Sequence, residues 1–353
     1  MIRVAINGLG RIGRATLKLI LEHPELELVA VNDLVPAENL AYLLKYDTVY
    51  GRYDREVDAV EDQLAIDGQP YPVLNQKDPA KLPWGELVID TVFECTGLFT
   101  KREELGKHLQ AGARRVILSA PAKSDDVATI VYGVNSGESE AQEILSCASC
   151  TTNCITPIVE IIGRRIGLKK AIMTTIHAYT SSQNIVDGPH SKFRRGRAGA
   201  ANLVPTSTGA AVATTKALPH YRGLFDGAAI RAPVPVGSIA DITFVTERST
   251  SVEEVNNIFR EEAGSQAYHE VIGVSEDEIV SSDIIQDPRA SIIDLAMTQV
   301  VDGDLVKVMS WYDNEWGYAN QMIRQAVKMG KTVAEPDPLA ERQVQGEVQA
   351  NAG

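Results

Sequence analysis

Aromatic residues make up only 6% of the 353-residue sequence, and cysteine occurs four times. Four thiols are too few for the disulfide framework of a small secreted scaffold. Cys147, Cys150 and Cys154 crowd into eight residues and Cys95 stands apart. No second Cys pair or His pair flanks them at the spacing of a zinc site, so no metal is expected. A reduced, intracellular setting follows. No run of about 18 apolar residues occurs, which excludes a membrane-spanning helix. The opening MIRVAINGLG lacks the charged, apolar and cleavage regions of a signal peptide. There is no internal repeat. Cations are in deficit: 34 Lys and Arg face 47 Asp and Glu, a formal net charge of −13. Such a field disfavours nucleic acid and anionic membranes as partners, while leaving room for a local basic pocket.

The length, with 44% hydrophobic residues, predicts a globular protein of two domains. In the first third, short β-branched runs alternate with helical spacing. Strands are expected at Ile2–Ile6, Leu26–Val31, Val88–Glu94, Arg115–Ser119 and Ala128–Tyr132. Helices are expected at Arg11–Glu22, Ala37–Lys45 and Arg102–Gln110. That order means an α/β fold with a parallel, doubly wound sheet. After about residue 150 the rhythm changes. A helix from Cys150 or Thr151 to Ile166 leads into a strand at Ala171–His177, then a long polar stretch, Ala178–Val204. An ordered loop of that length is usually functional. Period-2 segments at Gly227–Arg231, Ala240–Thr246 and Leu305–Trp311, with a helix at Val252–Glu262, predict an α+β domain whose sheet is mostly antiparallel. A closing helix is expected at Asn314–Met329, and the tail 331–353 reads as mobile and acidic.

Three groups of residues carry chemistry. Gly8-Leu9-Gly10-Arg11-Ile12-Gly13 follows the first strand and opens the first helix. Glycines there allow a tight turn and close backbone approach to a pyrophosphate at the helix N-terminus. Asp33 ends the second strand, where a carboxylate accepts ribose hydroxyls and repels a 2′-phosphate. No Lys or Arg follows in Leu34-Val35-Pro36-Ala37, so NAD is favoured over NADP. The second group is Ser149-Cys150-Thr151-Thr152-Asn153-Cys154. A cysteine in a first helical turn is biased toward thiolate, and Ser149 and Thr151 add hydroxyl donors for an anion. The same arrangement also suits a structural N-cap. Cys147 and Cys154 read as packed inside. Among six histidines, His23, His108, His190, His220 and His269 are expected at the surface. His177 ends a strand before the long loop, and a β–α–β unit would bring it to Cys150 as a base. The third group is cationic: Lys192-Phe193-Arg194-Arg195-Gly196-Arg197, then Pro205-Thr206-Ser207-Thr208-Gly209, and Arg231 at a strand end. In an acidic chain these are candidates for phosphate recognition or a solvated charge cluster.

The chain resembles phosphorylating glyceraldehyde-3-phosphate dehydrogenase over about residues 2–330. INGLGRIGR, VND, LLKYD, SAPAK, ASCTTNC, IHAYT, IVDGP, FRRGR, PTSTGAA and SWYDNEWGY occur in the family's order and spacing. The resemblance implies a Rossmann-type NAD-binding domain over 1–149 and an α+β catalytic domain over 150–313. It also implies a helix over 314–330 that returns to the first domain. It implies that Cys150 attacks glyceraldehyde 3-phosphate, that His177 handles the protons, and that inorganic phosphate cleaves the thioester. Thr180 and Arg231 match positions that hold the substrate phosphate. Ser149, Thr151, Arg195, Thr208 and Gly209 match those around the attacking phosphate. Asn314 matches the residue that orients the nicotinamide. Lys77, Thr96 and Ser119 match positions near the adenosine half, Lys77 standing where Arg is frequent. A cytoplasmic homotetramer is the implied assembly. Val212 departs from the family's usual Lys, and the tail has no cysteine. Erythrose-4-phosphate dehydrogenase and an inactive NAD-binding regulator are the alternatives; the Pro205–Gly209 segment and the intact Cys150, His177 and Arg231 speak against them.

Overall fold

The computed structural model describes residues 1–331. The tail beyond them, expected to be mobile, lies outside the described residues. The first part runs β1 (Ile2–Asn7), α1 (Arg11–Glu22), β2 (Leu26–Asn32), α2 (Ala37–Lys45), β3 (Tyr46–Asp47), β4 (Gly51–Arg52), β5 (Val57–Val60), β6 (Gln63–Ile66), β7 (Gln69–Leu74), β8 (Thr91–Glu94), α3 (Arg102–Gln110), β9 (Arg115–Leu118), β10 (Ala128–Thr129) and β11 (Ile144–Ser146). Nine strands form one sheet in the order β10-β11-β9-β8-β1-β2-β7-β6-β5. From β10 to β7 every neighbour is parallel. Beyond β7 the sheet grows by an antiparallel meander through β6 and β5. That meander is absent from the sequence reading, although Asp67-Gly68 is a hairpin signal. Both residues take positive φ, 50° and 78°, as a two-residue hairpin turn requires.

The second part runs α4 (Cys150–Arg165), β12 (Leu168–Ala178), β13 (Val204–Ser207), α5 (Ala210–Ala217), β14 (Phe225–Ala232), β15 (Ser238–Thr246), α6 (Val252–Ala263), β16 (Ile272–Ser275), β17 (Ser291–Val301), β18 (Leu305–Tyr312) and α7 (Trp316–Lys331). Its seven strands lie in the order β13-β14-β12-β15-β18-β17-β16. Four of the six pairings are antiparallel. The other two, β12 with β14 and β16 with β17, are parallel.

The two largest apolar cores follow the two sheets. One gathers Val4, Ile6, Leu17, Leu28 and Phe93 beneath the nine-stranded sheet. It also takes Tyr318, Met322 and Ala326 from α7, which packs on α1. The second surrounds α4 with Ile155, Ile158, Ile162, Phe244 and Val308. Cys150 packs against both cores, so the first turn of α4 sits where the two sheets meet.

Strand and helix ends move where a turn intervenes. Val88 opens the expected strand 88–94, yet it has φ 51° inside a turn, and pairing starts at Thr91. The closing helix begins at Trp316 rather than Asn314. Asp313 Oδ1 accepts the N–H groups of Glu315 and Trp316, at 2.9 and 2.8 Å, and so caps it.

Candidate active site

The order β8-β1-β2 reverses the chain's progress at β1, which opens a crevice at the carboxyl ends of β1 and β8. Gly8 takes φ 94° there, and a Cβ on it would lie 2.8 Å from Thr96 N. A Cβ on Gly13 would lie 2.0 Å from Gly8 O. Both glycines are therefore required by contact. Gly10 faces open space and is the N-cap of α1, with no side-chain hydrogen bond to the first turn. The first-turn N–H groups of α1 thus lack a side-chain cap, as an anion site at a helix end requires. The Arg11 side chain is committed elsewhere: it bonds Glu315 Oε1 at 3.0 Å and Asp47 Oδ2 at 2.5 Å. Only its backbone remains for a pyrophosphate. Asp33 Oδ2 accepts from Leu9 N at 2.7 Å, so the carboxylate braces the glycine turn that it overlooks. Lys77 is exposed on the segment after β7, and Ser119 N donates to Glu94 O at 3.0 Å beside Thr96. Asn314 Oδ1 is pinned by Gly237 N at 3.1 Å and Ser238 Oγ at 2.9 Å, which fixes the amide's orientation. These features fit a dinucleotide.

At the inner end of the crevice the chain leaves β11 through Ala148, whose φ of 55° is unfavourable for alanine and turns the backbone into α4. Ser149 is the N-cap, its Oγ accepting from Thr152 N at 3.1 Å, and Cys150 is the first helical residue. The cap is thus Ser149, which leaves Cys150 as the first-turn residue that the reactive-cysteine reading requires. Cys150 Sγ lies 3.3 Å from His177 Nε2. The route between them is not the β–α–β unit expected: β11 belongs to the nine-stranded sheet and β12 to the seven-stranded one. Arg231 sits opposite His177 in the parallel β12/β14 pair. His177 Nδ1 is 2.7 Å from Ala178 O, an acceptor, and also within reach of Arg231 Nη1, a donor; with its proton toward Ala178 O, Nε2 offers its lone pair to the thiol. Arg231 Nη1 also donates to Ala178 O, at 2.9 Å, and thereby lies 2.8 Å from Nδ1.

Burial and the Arg231 charge hold His177 down at about 3. Burial raises the Cys150 thiol, against the pull of Arg231 and of the Thr151 N–H. Burial thus favours neutral thiol and neutral imidazole over the thiolate that a first-turn position predicts. The thiol proton has an adjacent acceptor, and its transfer leaves the pair's total charge unchanged. The other thiols are inert: burial pushes Cys95 and Cys154 up to about 12, and Cys147 is 2% exposed.

The cationic residues converge less tightly. Arg195 Nε donates to Thr206 Oγ1 at 3.1 Å and its Nη1 to Ser182 Oγ at 3.4 Å. Ser182 Oγ in turn lies 2.8 Å from Thr180 Oγ1. Arg231 Nε is buried with no partner among the described residues, a donor left for an anion. Thr208 Oγ1 accepts from Ala210 N at 3.2 Å, and Gly209 is the N-cap of α5. Arg194 and Arg197 are exposed, Arg197 pairing with Asp187 at 2.6 Å; these two are surface charges.

Three features escape the sequence reading. Tyr312 OH bonds Thr151 Oγ1 at 2.9 Å and Thr175 Oγ1 at 2.8 Å, with its ring edge-on to His177. It lies in the segment SWYDNEWGY, but nothing in spacing assigns it a partner. Asp47 and Glu315 are further missed residues, visible only once α7 packs on α1. His108, expected at the surface, is fully buried against Trp84 and Glu94. It faces inward from α3, and its polarity hid that.

Family comparisons extend over both sheets. Residues 2–102 match the family model described as glyceraldehyde 3-phosphate dehydrogenase, NAD binding domain. Residues 149–314 match the C-terminal domain of the same enzyme. The chain is 47% identical to a glyceraldehyde-3-phosphate dehydrogenase of Clostridium pasteurianum over 330 residues, covering 92% of this chain and 97% of that protein. To the Streptomyces coelicolor protein of the same name it is 46% identical, covering 93% and 98%. To glyceraldehyde-3-phosphate dehydrogenase 1 of Bacillus subtilis it is 44% identical, covering 94% and 98%.

Proposed function

The chain belongs to the glyceraldehyde-3-phosphate dehydrogenase family, and from that membership we propose that it oxidises and phosphorylates glyceraldehyde 3-phosphate to 1,3-bisphosphoglycerate while reducing NAD. The observation that carries the reading is the Cys150 Sγ–His177 Nε2 contact of 3.3 Å beside Arg231. Sγ bonds to the aldehyde carbon as the thiol proton passes to His177 Nε2. The Cys150 N–H and the resulting imidazolium steady the oxyanion, which then takes the proton as a hemithioacetal hydroxyl. NAD, when bound, supplies the hydride acceptor. As the carbon–hydrogen bond breaks, His177 takes back the hydroxyl proton and a thioester remains on Cys150. Inorganic phosphate attacks its carbonyl, and the sulfur leaves to be reprotonated by His177.

Thr180 and Arg231 are proposed for the substrate phosphate, the unpartnered Arg231 Nε supporting the assignment. Ser149, Thr151, Arg195, Thr208 and Gly209 are proposed for the attacking phosphate. Gly8, Gly10, Arg11, Ile12, Gly13, Asp33, Lys77, Thr96, Ser119 and Asn314 would hold NAD. A homotetramer is proposed because the 178–204 loop exposes Ile185 at 85% and Phe193 at 88%, apolar surface that a second copy would cover. Four free cysteines and the absence, among the described residues, of any helix apolar enough to cross a membrane accord with a cytoplasmic enzyme.

The test mixes protein, NAD and glyceraldehyde 3-phosphate and follows NADH absorbance. Sustained reduction should need phosphate or arsenate; little reduction with either anion removes the proposal. The same assay with erythrose 4-phosphate should run more slowly. Cofactor choice tests Asp33. Asp33→Asn keeps an oxygen for Leu9 N, gives up only the exposed Val35 N–H contact and removes the charge. The ratio of kcat/KM for NADP to that for NAD should rise at least about tenfold. An unchanged ratio shows that the carboxylate does not exclude the 2′-phosphate.

A further inference from the structure

We infer that Glu94, with His108 behind it, is a positioning residue for the dinucleotide crevice, holding the Thr96 turn against the Gly8 turn; this rests on the NAD site proposed above. Glu94 ends β8 and is fully buried. Its Oε1 accepts from Thr96 N at 2.8 Å and from Thr96 Oγ1. Its Oε2 accepts from Asn7 Nδ2 at 2.6 Å and lies 3.1 Å from His108 Nε2. Trp84 Nε1, which can only donate, points at His108 Nδ1 at 3.0 Å. The imidazole proton is therefore on Nε2 and is directed at Glu94. Four donors converge on one carboxylate.

The donors belong to the walls of the crevice. Asn7 is the residue before Gly8, and its Oδ1 accepts from Asn32 Nδ2 at 2.7 Å. Asn32 precedes Asp33, and its Oδ1 accepts from Gln76 N at 2.9 Å, next to Lys77. Thr96 N and Cα lie 2.8 and 2.9 Å from where a Gly8 Cβ would be. One chain of hydrogen bonds thus runs Gln76–Asn32–Asn7–Glu94–His108–Trp84. It fixes the ends of β2, β1 and β8 relative to each other and backs them with α3. Each of the residues proposed above for the adenosine half, Asp33, Lys77, Thr96 and Ser119, follows directly from a member of this chain or bonds one. An amide in place of the carboxylate has a single acceptor oxygen and turns an NH2 either toward Asn7 Nδ2 and His108 Nε2 or toward the Thr96 N–H and hydroxyl, of which only the hydroxyl can accept. Either the Thr96 turn or the Asn7–His108 side must then move, which leaves buried donors unpaired.

The experiment compares the full-chain protein with Glu94→Gln. It reads NAD affinity by fluorescence titration, kcat at saturating NAD, and the rate of Cys150 alkylation by iodoacetamide. Expected is a folded variant whose Kd for NAD rises about tenfold, with kcat and alkylation rate within about twofold of the original. A folded variant with unchanged NAD affinity overturns the inference. So does a parallel loss of kcat and alkylation, which would mean that Glu94 supports the fold at large. Should Glu94→Gln not fold, His108→Gln and His108→Phe decide the matter. Gln can accept from Trp84 and donate to Glu94, so it should keep NAD affinity while Phe loses it; equal affinities overturn the inference. Failure of the unsubstituted protein to bind NAD would instead sink the cofactor-site reading itself.

Discussion

Replacing Cys150 by serine should lower aldehyde oxidation by at least about ten-thousandfold, with the affinity for NAD intact. The change is one atom, and the folded structure accepts it, because a hydroxyl keeps the contact with His177 Nε2 and the Thr151 hydrogen bonds that Sγ makes. The loss comes from chemistry. A neutral imidazole can take a thiol proton when sulfur attacks, whereas a serine hydroxyl is far less acidic and its alkoxide far more costly in a buried site. The sulfur also makes the later step accessible, since a thioester yields to phosphate more readily than an oxygen ester. Cys154→Ser is the control. That thiol is fully buried one turn along α4, with burial raising it to about 12 and Ser291 Oγ 3.7 Å away. Its substitution should leave turnover within a few-fold. Stopped-flow NADH absorbance separates the cases. Cys150→Ser should show neither burst nor steady state, and any near-normal burst from it would remove Cys150 as the nucleophile.

Much of this arrangement is legible from local sequence, and the remainder fails for identifiable reasons. The α1, α2 and α3 boundaries follow from apolar spacing alone and coincide with the observed helices. Gly13 reads from sequence because its requirement is local, a Cβ there meeting Gly8 O five residues away, whereas Gly8 is also required by the distant Thr96. What does not read is anything set by two distant segments. Arg231 faces His177 through strand register, which no periodicity reveals. His108 looks like a surface residue in Lys107-His108-Leu109. It is buried because Glu94 and Trp84, from other segments, supply its partners. The protonation state of the central pair is likewise global. The helix N-terminus favours a thiolate, whereas burial where Cys150 meets both apolar cores raises the thiol.

His177→Asn should lower kcat by about a hundredfold to ten-thousandfold, the range lost with a positioned base. It should also change how stability depends on pH. Burial first, then the Arg231 charge beside Nδ1, depress this imidazole from its ordinary 6.5 to about 3. Between those values the unfolded chain binds a proton here that the folded protein does not. Stability therefore rises with pH across that window, is complete above about 6.5, and is lost as pH falls toward 3. Asn removes the titration and leaves the carboxylates in place, so the difference between the two proteins isolates His177. Going from pH 7 to pH 5, the original protein should lose about 2 kcal/mol more unfolding free energy than the variant. Urea unfolding followed by tryptophan fluorescence at each pH measures it. If the two proteins lose stability in parallel, His177 is not held neutral, and the description of the pair as thiol and imidazole is wrong. If they diverge as stated, His177 rests neutral with a free lone pair. It then holds the Cys150 proton only while negative charge on the hemithioacetal oxygen stands beside it, so that it can return the proton and take it again in one turnover.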